Sequence, residues 1–178
     1  THRLRDPLLE RDRTRIMNIV LVRVDDRFIH GQILESWIPH LNVQGVVIVN
    51  DELACDQIQK TIMSMAIPER ILLRIVGFDG AARMDEDCEL DGKRTLVIVS
   101  SIKDAHRLLT AGVGYKRLNI GNNKASSNAC QISYSVWMDE EDRRLVNEIM
   151  EQGVEITVQS VPRERSIDLK SLIGAVWT

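Results

Sequence analysis

The sequence predicts an α/β fold, a three-layer αβα sandwich around a mostly parallel central sheet of about seven strands. From Met17 onward, short runs of β-branched residues alternate with segments whose apolar residues follow a helical period. This alternation is typical of βαβ units, which build parallel sheets. Runs such as VVIV (46–49) and LVIV (96–99) have no polar face, as expected of strands covered by helices on both sides.

Seven segments are predicted as strands because they are short, apolar and rich in β-branched residues. They are Asn18–Val24, Val46–Asn50, Ile71–Val76, Thr95–Ser100, Arg117–Gly121, Tyr134–Trp137 and Val154–Val161. The carboxyl ends of parallel strands meet at one edge of the sheet, where ligands bind in folds of this class. Functional residues are therefore expected in the loops that leave the strands.

Four segments between these strands carry an apolar stripe at helical spacing. The stripes are Ile33, Leu34, Trp37 and Ile38; Ile58, Ile62, Met65 and Ala66; Ala105, Leu108 and Leu109; and Leu145, Val146, Ile149 and Met150. Pro39 is predicted to stop the first helix and Pro68 follows the second, because proline disrupts a helix interior. Ser101 and Asp139 are predicted N-caps of the last two. Residues 79–92 fit a surface helix and a loop equally well.

Length and composition indicate one domain with a sizeable core. The chain has 178 residues, of which 44% are hydrophobic and 28% charged. Residues 17–178 are predicted to form a single domain. The arginine-rich residues 1–16 lack the apolar stretch of a signal peptide and are predicted to be a flexible extension. No apolar run approaches the about 18 residues that a membrane span needs, so we expect a soluble protein. The three cysteines are odd in number and have no CxxC spacing, which indicates a reducing cytoplasm.

Charge and motifs argue against several functional classes. The net charge of −3 and an aromatic content of 4% disfavour a nucleic-acid binder. The three cysteines have no metal-ligand spacing, so no metal site is predicted. Walker and GxGxxG motifs are absent from the sequence. We therefore predict no metal and no cofactor.

The loop after the first strand, residues 23–32 (RVDDRFIHGQ), is the densest polar cluster of the chain. His30 is the natural nucleophile or proton shuttle, because its ordinary pKa lies near neutrality. Arg27 precedes it by three residues, so both side chains can reach the same side of a turn that enters a helix. A guanidinium there can bind a phosphoryl group through paired hydrogen bonds, and backbone N–H groups at a helix start favour a dianion.

The neighbours of His30 in this loop fit the same chemistry. Gly31 lacks the Cβ that would block a close approach, and a carboxylate of Asp25 or Asp26 can orient the imidazole or hold an arginine. A structural interpretation stays open at this point. In it Asp26 is a helix cap, Arg27 forms a surface ion pair and His30 is a satisfied buried histidine.

Two further loops follow predicted strands. Asn50 and Asp51 end the second strand, where Asp51 is a candidate cap of the next helix or both residues support the first loop. Gly121 and Asn122 end the fifth strand, and Gly and Asn expose backbone amides that suit an oxyanion or phosphate. A plain turn fits the same residues. The other histidines, among them His40 and His106, lack such company and are interpreted as structural or solvated.

The run IVLVRVDDRFIHGQI (19–33) resembles the signature around the phosphorylated histidine of IIB components of the mannose/fructose/sorbose family. That family belongs to the bacterial phosphoenolpyruvate-dependent sugar phosphotransferase system. The resemblance continues through VVIVNDELACD (46–56), NIG (119–121) and residues 138–162. It therefore spans nearly the whole chain from Met17.

The resemblance implies a parallel αβα sandwich and a phosphoryl relay. His30 would accept a phosphoryl group from a phosphohistidine of a IIA component and pass it to a sugar imported through membrane IIC and IID components. Arg27 would stabilise the phosphoryl group. The residues in supporting roles would be Arg23, Asp25, Asp26, Gly31, Gln32, Asn50, Asp51, Gly121 and Asn122. The family also implies attachment to the permease at the membrane periphery, and copies of the chain are candidates for self-association.

One departure from the family pattern leaves two alternatives. Family members commonly have Gly or Met after the NIG, whereas this chain has Asn122–Asn123. The altered loop fits a different sugar preference or IIC docking, and it equally fits a regulatory protein that is phosphorylated on His30 without feeding transport. A less specific alternative is an unrelated hydrolase that uses His30 with Asp25 or Asp26 as an acid–base pair.

Overall fold

Strands and helices alternate over residues 17–124 and 127–171, which the computed structural model describes. The strands are β1 (Asn18–Asp25), β2 (Gly45–Val49), β3 (Leu72–Val76), β4 (Arg94–Val99), β5 (Arg117–Asn122), β6 (Cys130–Ser133), β7 (Val136–Met138), β8 (Glu155–Val158) and β9 (Ile167–Asp168). The α-helices are α1 (Ile38–Leu41), α2 (Asp51–Cys55), α3 (Gln57–Ala66), α4 (Phe78–Ala81), α5 (Ile102–Thr110) and α6 (Glu140–Glu151). A π-helical turn (Ile33–Trp37) precedes α1, and a 3-10 turn (Met84–Glu86) follows α4.

The central sheet has seven strands in the order β3-β2-β4-β1-β5-β8-β9. All neighbouring strands are parallel except β8 and β9. β1 lies in the middle of the sheet, with Arg23 opposite Ile98 of β4 and Asn119 of β5. The mostly parallel sheet of about seven strands predicted from the sequence is confirmed.

Helices cover both faces of this sheet, which confirms the three-layer architecture. On one face α5 and α6 pack against a core that includes Val22 of β1. On the other face the π-helical turn and α1 pack against a second core that includes Leu21. Adjacent residues of a strand point to opposite faces, so β1 contributes to both cores.

The predicted strand Tyr134–Trp137 does not belong to the central sheet. Residues Val136–Met138 pair with Cys130–Ser133 as a separate antiparallel hairpin, and Tyr134 at its turn is 96% exposed. The seventh strand of the sheet is instead β9, an antiparallel edge strand of two residues. So short a strand leaves no periodic pattern in a sequence.

Pro39 does not stop the first helix, contrary to the prediction. The π-helical turn ends at Trp37, and the chain continues through Pro39 as α1 to Leu41. Proline is tolerated there because the first turn of an α-helix does not need its N–H. The helix ends at Asn42, whose positive φ of 51° is the left-handed conformation typical of helix ends.

The helix predicted around Ile58 is confirmed as α3, but its apolar stripe faces outward. Ile58 is 73% exposed, Ile62 is 54% exposed and Met65 is 82% exposed. Met63 and Leu53 pack instead against the core beside α1. Periodicity therefore predicted the helix correctly without identifying the face that is covered.

The predicted helix starts at Ser101 and Asp139 are confirmed. The Ser101 side chain accepts the Asp104 N–H, and Asp139 forms a reciprocal capping box with Asp142 at the start of α6. Gly112 and Gly153 follow the ends of these helices with positive φ. Residues 79–92 form neither a long surface helix nor a plain loop, but the end of α4, a 3-10 turn and further turns.

The predicted flexible extension, residues 1–16, lies outside the described residues. Over the part of the chain that the structure describes, no helix is both long and apolar enough to cross a membrane.

Candidate functional site

The candidate site lies at the carboxyl ends of β1 and β5, which are neighbours in the sheet. From β1 the chain leads to β2 on one side, whereas from β5 it leads to β8 on the other side. Connections that diverge in this way open a crevice between the two strand ends, where ligands bind in this class of fold. The loop that follows β1 carries His30, and Asn122 ends β5.

Arg23 is a fully buried charge beneath this crevice. Its guanidinium donates to the Asn119 side chain, to the Gln159 carbonyl at 3.1 Å, to the Ser160 carbonyl at 3.1 Å and to Asp25 Oδ2 at 2.9 Å. Its Cζ lies 4.8 Å from the centroid of the Trp37 ring, a cation–π contact. Burial is the main influence on the pKa of Arg23 and lowers it, although Asp25 opposes the effect. Arg23 therefore fixes the site from below.

Gly121 makes room for the Arg23 guanidinium. A Cβ built at position 121 would overlap the Cζ and both Nη atoms of Arg23. Any other residue would therefore displace this buried cation. Gly121 thus serves the site through packing, whereas the sequence suggested only an exposed backbone amide.

Asp25 is the carboxylate that joins the cluster together. Its Oδ1 accepts the Arg27 Nε at 3.0 Å, and its Oδ2 accepts the Arg27 Nη2 at 3.0 Å as well as the Arg23 guanidinium. Burial raises the pKa of Asp25, but the hydrogen bonds and positive charges of Arg27 and Arg23 outweigh it, so the pKa lies below its ordinary value. Asp25 is therefore a firmly ionised anchor.

His30 lies directly against this anchor. Its Nε2 is 3.2 Å from Asp25 Oδ2, and its side chain is 17% exposed. Among the described residues neither ring nitrogen has a partner in good hydrogen-bond geometry, although both nitrogens are shielded from solvent. Burial lowers the pKa of His30, with Arg27 and Arg23 adding to the effect and Asp25 opposing it. The imidazole is therefore neutral and nucleophilic at neutral pH.

A tight turn places Arg27 beside His30. The Phe28 N–H donates to the Asp25 carbonyl at 3.1 Å, and Phe28 has a positive φ of 52°. Such a conformation is strained for a residue with a bulky side chain, and strain of this kind concentrates at functional sites. The Arg27 side chain is 43% exposed and also donates to Gln32 Oε1 at 3.1 Å. Its guanidinium is thus fixed yet open to a ligand.

The backbone after His30 begins the π-helical segment. The His30 carbonyl accepts the Ile33 N–H at 3.0 Å and the Leu34 N–H at 3.1 Å. Gly31 is exposed, and a Cβ at that position would meet nothing within 4 Å. The space beside His30 is therefore open at Gly31, as a site that meets a large partner requires.

Asp26 links the β1 loop to the end of β5. One carboxylate oxygen accepts the Asn122 amide, and the other lies 2.5 Å from the Lys124 Nζ. The sequence indicated Asn122 but not Lys124. The available signal was a basic residue three positions after the glycine that ends the NIG motif.

Asn50 and Asp51 are not brought to this cluster, because β4 separates β2 from β1. Asn50, rather than Asp51, is the N-cap of α2, and its Oδ1 accepts the Leu53 N–H at 2.8 Å. Asp51 accepts the Phe78 N–H at 2.9 Å and binds Arg107 at 2.9 Å. The Phe78 N–H is the main cause that lowers the pKa of Asp51.

The remaining histidines and the cysteines have separate surroundings. His106 Nε2 lies 2.8 Å from Glu148 Oε2, and His40 is edge-on to the Trp37 ring. The three cysteines are exposed and lie outside this cluster. Within the described residues no group of three or more His, Cys, Asp or Glu side chains is arranged to hold a metal ion.

Comparison with known proteins assigns the family. Residues 19–176 match the family model described as the PTS system sorbose subfamily IIB component. The fructose-specific EIIB component of Bacillus subtilis is 30% identical over 161 residues, which cover 90% of this chain and 99% of that protein. The chain belongs to the sorbose-type IIB family of the phosphotransferase system.

Two further relatives show the reach of this family. The mannose-specific EIIAB component of Escherichia coli K12 is 28% identical over 160 residues. These residues cover 90% of this chain and 50% of that longer protein. The crystal structure titled manxB from Thermoanaerobacter tengcongensis matches 90% of this chain and 97% of its own, with a TM-score of 0.82 and 27% identity. The family confirms the resemblance seen in the motifs and supports a transferase role.

Proposed function

We propose that this IIB chain accepts a phosphoryl group on His30 from a phosphohistidine of a IIA component. It then passes the group to a sugar that enters through the membrane components IIC and IID. The observation that carries this proposal is the position of the His30 imidazole against the buried Asp25 carboxylate, which also binds the exposed Arg27 guanidinium. A neutral nucleophile beside a guanidinium is the arrangement that phosphoryl transfer requires.

Asp25 selects the nitrogen that reacts. The Nε2 of His30 faces the Asp25 carboxylate, which favours the tautomer with its proton on Nε2. A dianionic group on that same nitrogen would be repelled by the carboxylate. Nδ1 therefore carries the lone pair and is the proposed acceptor.

Transfer of the phosphoryl group from the donor phosphohistidine to His30 needs no further reactant. The Nδ1 lone pair of His30 attacks phosphorus while the N–P bond of the donor phosphohistidine breaks, and its electron pair returns to the donor imidazole. Positive charge develops on the His30 ring, which Asp25 stabilises from 3.2 Å. Arg27 offsets negative charge on the equatorial oxygens of the phosphoryl group. The chain itself therefore supplies positioning and electrostatic stabilisation.

Relatives supply the support for the partners. The E. coli relative is named an EIIAB component, so in that protein IIA and IIB parts share one chain. A IIA component as donor fits the open face at Arg27 and Gly31. We place the protein in the cytoplasm, at the surface of the IIC and IID permease. One relative is named as fructose-specific and another as mannose-specific, so sugar choice varies within the family.

The test is phosphate transfer to the purified chain from phosphoenolpyruvate through the general carrier proteins and a family IIA component. Intact mass should show one added phosphoryl group that acid removes. His30→Ala should keep its fold by circular dichroism and accept none. His106→Ala is the matched control, since His106 also lies beside a carboxylate, and it should be phosphorylated normally. Phosphate on another residue, or none on the wild type, would contradict the proposal.

A further inference from the structure

We infer that Lys124 is a second phosphoryl-binding residue, which pairs with Asp26 until a phosphoryl group arrives at His30. The inference rests on the function proposed above, because it assigns a role within the same transfer step. It starts from a residue that the sequence motifs do not include. Its basis is the pairing of charges around the β1 loop.

Lys124 stands at the rim of the site. Its Nζ lies 2.5 Å from Asp26 Oδ2, while 82% of its side chain is exposed. Asp26 is the neighbour of Asp25 in the chain, and its negative charge raises the pKa of His30 against the larger effect of burial. A cation on Asp26 is therefore within the electrostatic surroundings of His30.

The charges closest to His30 leave a dianion poorly compensated. The guanidinium groups of Arg23 and Arg27 share the carboxylate of Asp25, and the carboxylate of Asp26 is paired with Lys124. Arg23 is buried and already donates to four acceptors, so it cannot turn toward a ligand. A phosphoryl group on His30 adds about two negative charges, which Arg27 alone does not offset. Lys124 is the remaining cation described at this rim.

Moving Lys124 from Asp26 to the phosphoryl group is energetically easy. A phosphoryl dianion carries more charge and more acceptor oxygens than one carboxylate. The lysine side chain is long, flexible and exposed, and it lacks a fixed fork geometry. Asp26 keeps the amide of Asn122 as a partner on its other oxygen after the lysine leaves. The Asp26 carboxylate therefore keeps a hydrogen-bond donor after the exchange.

The test compares three variants of the full chain in the phosphate-transfer assay from a phosphorylated IIA component. Lys124→Gln should lower the initial rate of phosphorylation of His30 about five-fold, the size expected for one exposed charge contact. Lys124→Arg should restore the rate to within about two-fold, because it keeps the charge. Lys103→Gln, an exposed lysine of α5, is the matched control and should leave the rate unchanged. The deficit of Lys124→Gln should shrink at high salt.

Each outcome separates this inference from the proposed function. A wild type that is phosphorylated on His30 together with a Lys124→Gln variant of equal rate would overturn the inference alone. Equal losses in Lys124→Gln and Lys124→Arg would assign the effect to the structure of the loop and would also overturn it. A wild type that takes no phosphate would overturn both.

Discussion

The loops that follow β1 and β2 contain similar residues but use them differently. Each carries acidic side chains at the carboxyl end of a buried parallel strand, and each holds a carboxylate paired with an arginine. After β2, Asp51 pairs with Arg107 at the surface and also accepts a backbone N–H from α4. After β1, Asp25 is fully buried and is shared by Arg23, Arg27 and His30. The β2 loop holds helices together, whereas the β1 loop assembles a reactive group.

The two loops differ in the burial of their carboxylates and in which polar atoms lack a hydrogen-bond partner. At the β2 loop the caps and the ion pair satisfy the polar groups of Asn50 and Asp51. At the β1 loop the two ring nitrogens of His30 lack well-formed partners among the described residues, and Phe28 holds a strained conformation. Buried polar atoms without a partner and strained backbone lower the stability of a protein, and such features concentrate at functional sites. Their presence at the β1 loop therefore indicates a function there.

The two loops should differ most in how much substitution of their aspartates lowers the free energy of unfolding. Asp25→Asn should lower the free energy of unfolding by about 3–5 kcal/mol, because it leaves the buried Arg23 without its counter-charge and turns an amide N–H toward guanidinium donors. Asp51→Asn should shift the urea midpoint far less, because its ion pair is exposed. Urea unfolding of both variants at neutral pH measures the contrast. Equal shifts would mean that the charges of the β1 loop are not the buried network described above.

The sequence predicts the central sheet but not every element of the fold. The β-branched runs around 46–49 and 96–99 give the parallel sheet, because strands buried on both faces need apolar residues throughout. Periodicity does not predict β9, which pairs two residues only, nor does it say that α3 exposes Ile58 and Met65. These features depend on which elements meet in three dimensions.

The site divides in a similar way. The residues from Arg23 to Gln32 are ten consecutive positions, so a local motif predicts their proximity. The partners of Arg23 lie far away in the sequence, with Asn119 separated by 96 residues and Ser160 by 137. The role of Gly121 follows from its contact with Arg23, and the separation of Asn50 from His30 follows from strand order. Only the tertiary structure distinguishes supporting residues from helix caps.

The two arginines extend the comparison to catalysis. Arg27→Ala should slow phosphorylation of His30 about a hundred-fold, the usual effect of removing one donor that stabilises developing charge. Arg27→Lys should recover only part of this loss, because an ammonium lacks the paired geometry of a guanidinium. Arg107→Ala, which removes the partner of Asp51, should leave the rate unchanged. Rates from rapid-quench transfer assays test this, and a deficit in Arg107→Ala would show that the two loops are coupled.

Substitutions of two glycines should distinguish the buried side of the site from its open side. Gly121→Ala should lower the free energy of unfolding by about 2–3 kcal/mol, because the new Cβ overlaps the buried Arg23 guanidinium. Gly31→Ala should change stability by less than about 0.5 kcal/mol, since its Cβ meets open space. Thermal and urea unfolding give both values. An unaffected Gly121→Ala would mean that Arg23 has room to move, which its four hydrogen bonds argue against.

The smallest expected effect is in the titration of His30. Burial, aided by Arg27 and Arg23, holds its pKa below the ordinary value near 6.5, so the folded chain binds the proton less readily than the unfolded chain. The contribution of His30 to stability is therefore present above that value and is lost as the pH falls through it toward the folded pKa. Phosphorylation should decline at a lower pH than the ordinary pKa of histidine predicts, because burial lowers the pKa of the imidazole. Arg27→Ala should raise the pKa of His30 in an NMR titration, since a repelling cation is gone, and a fall would contradict the direction of the field assigned to Arg27.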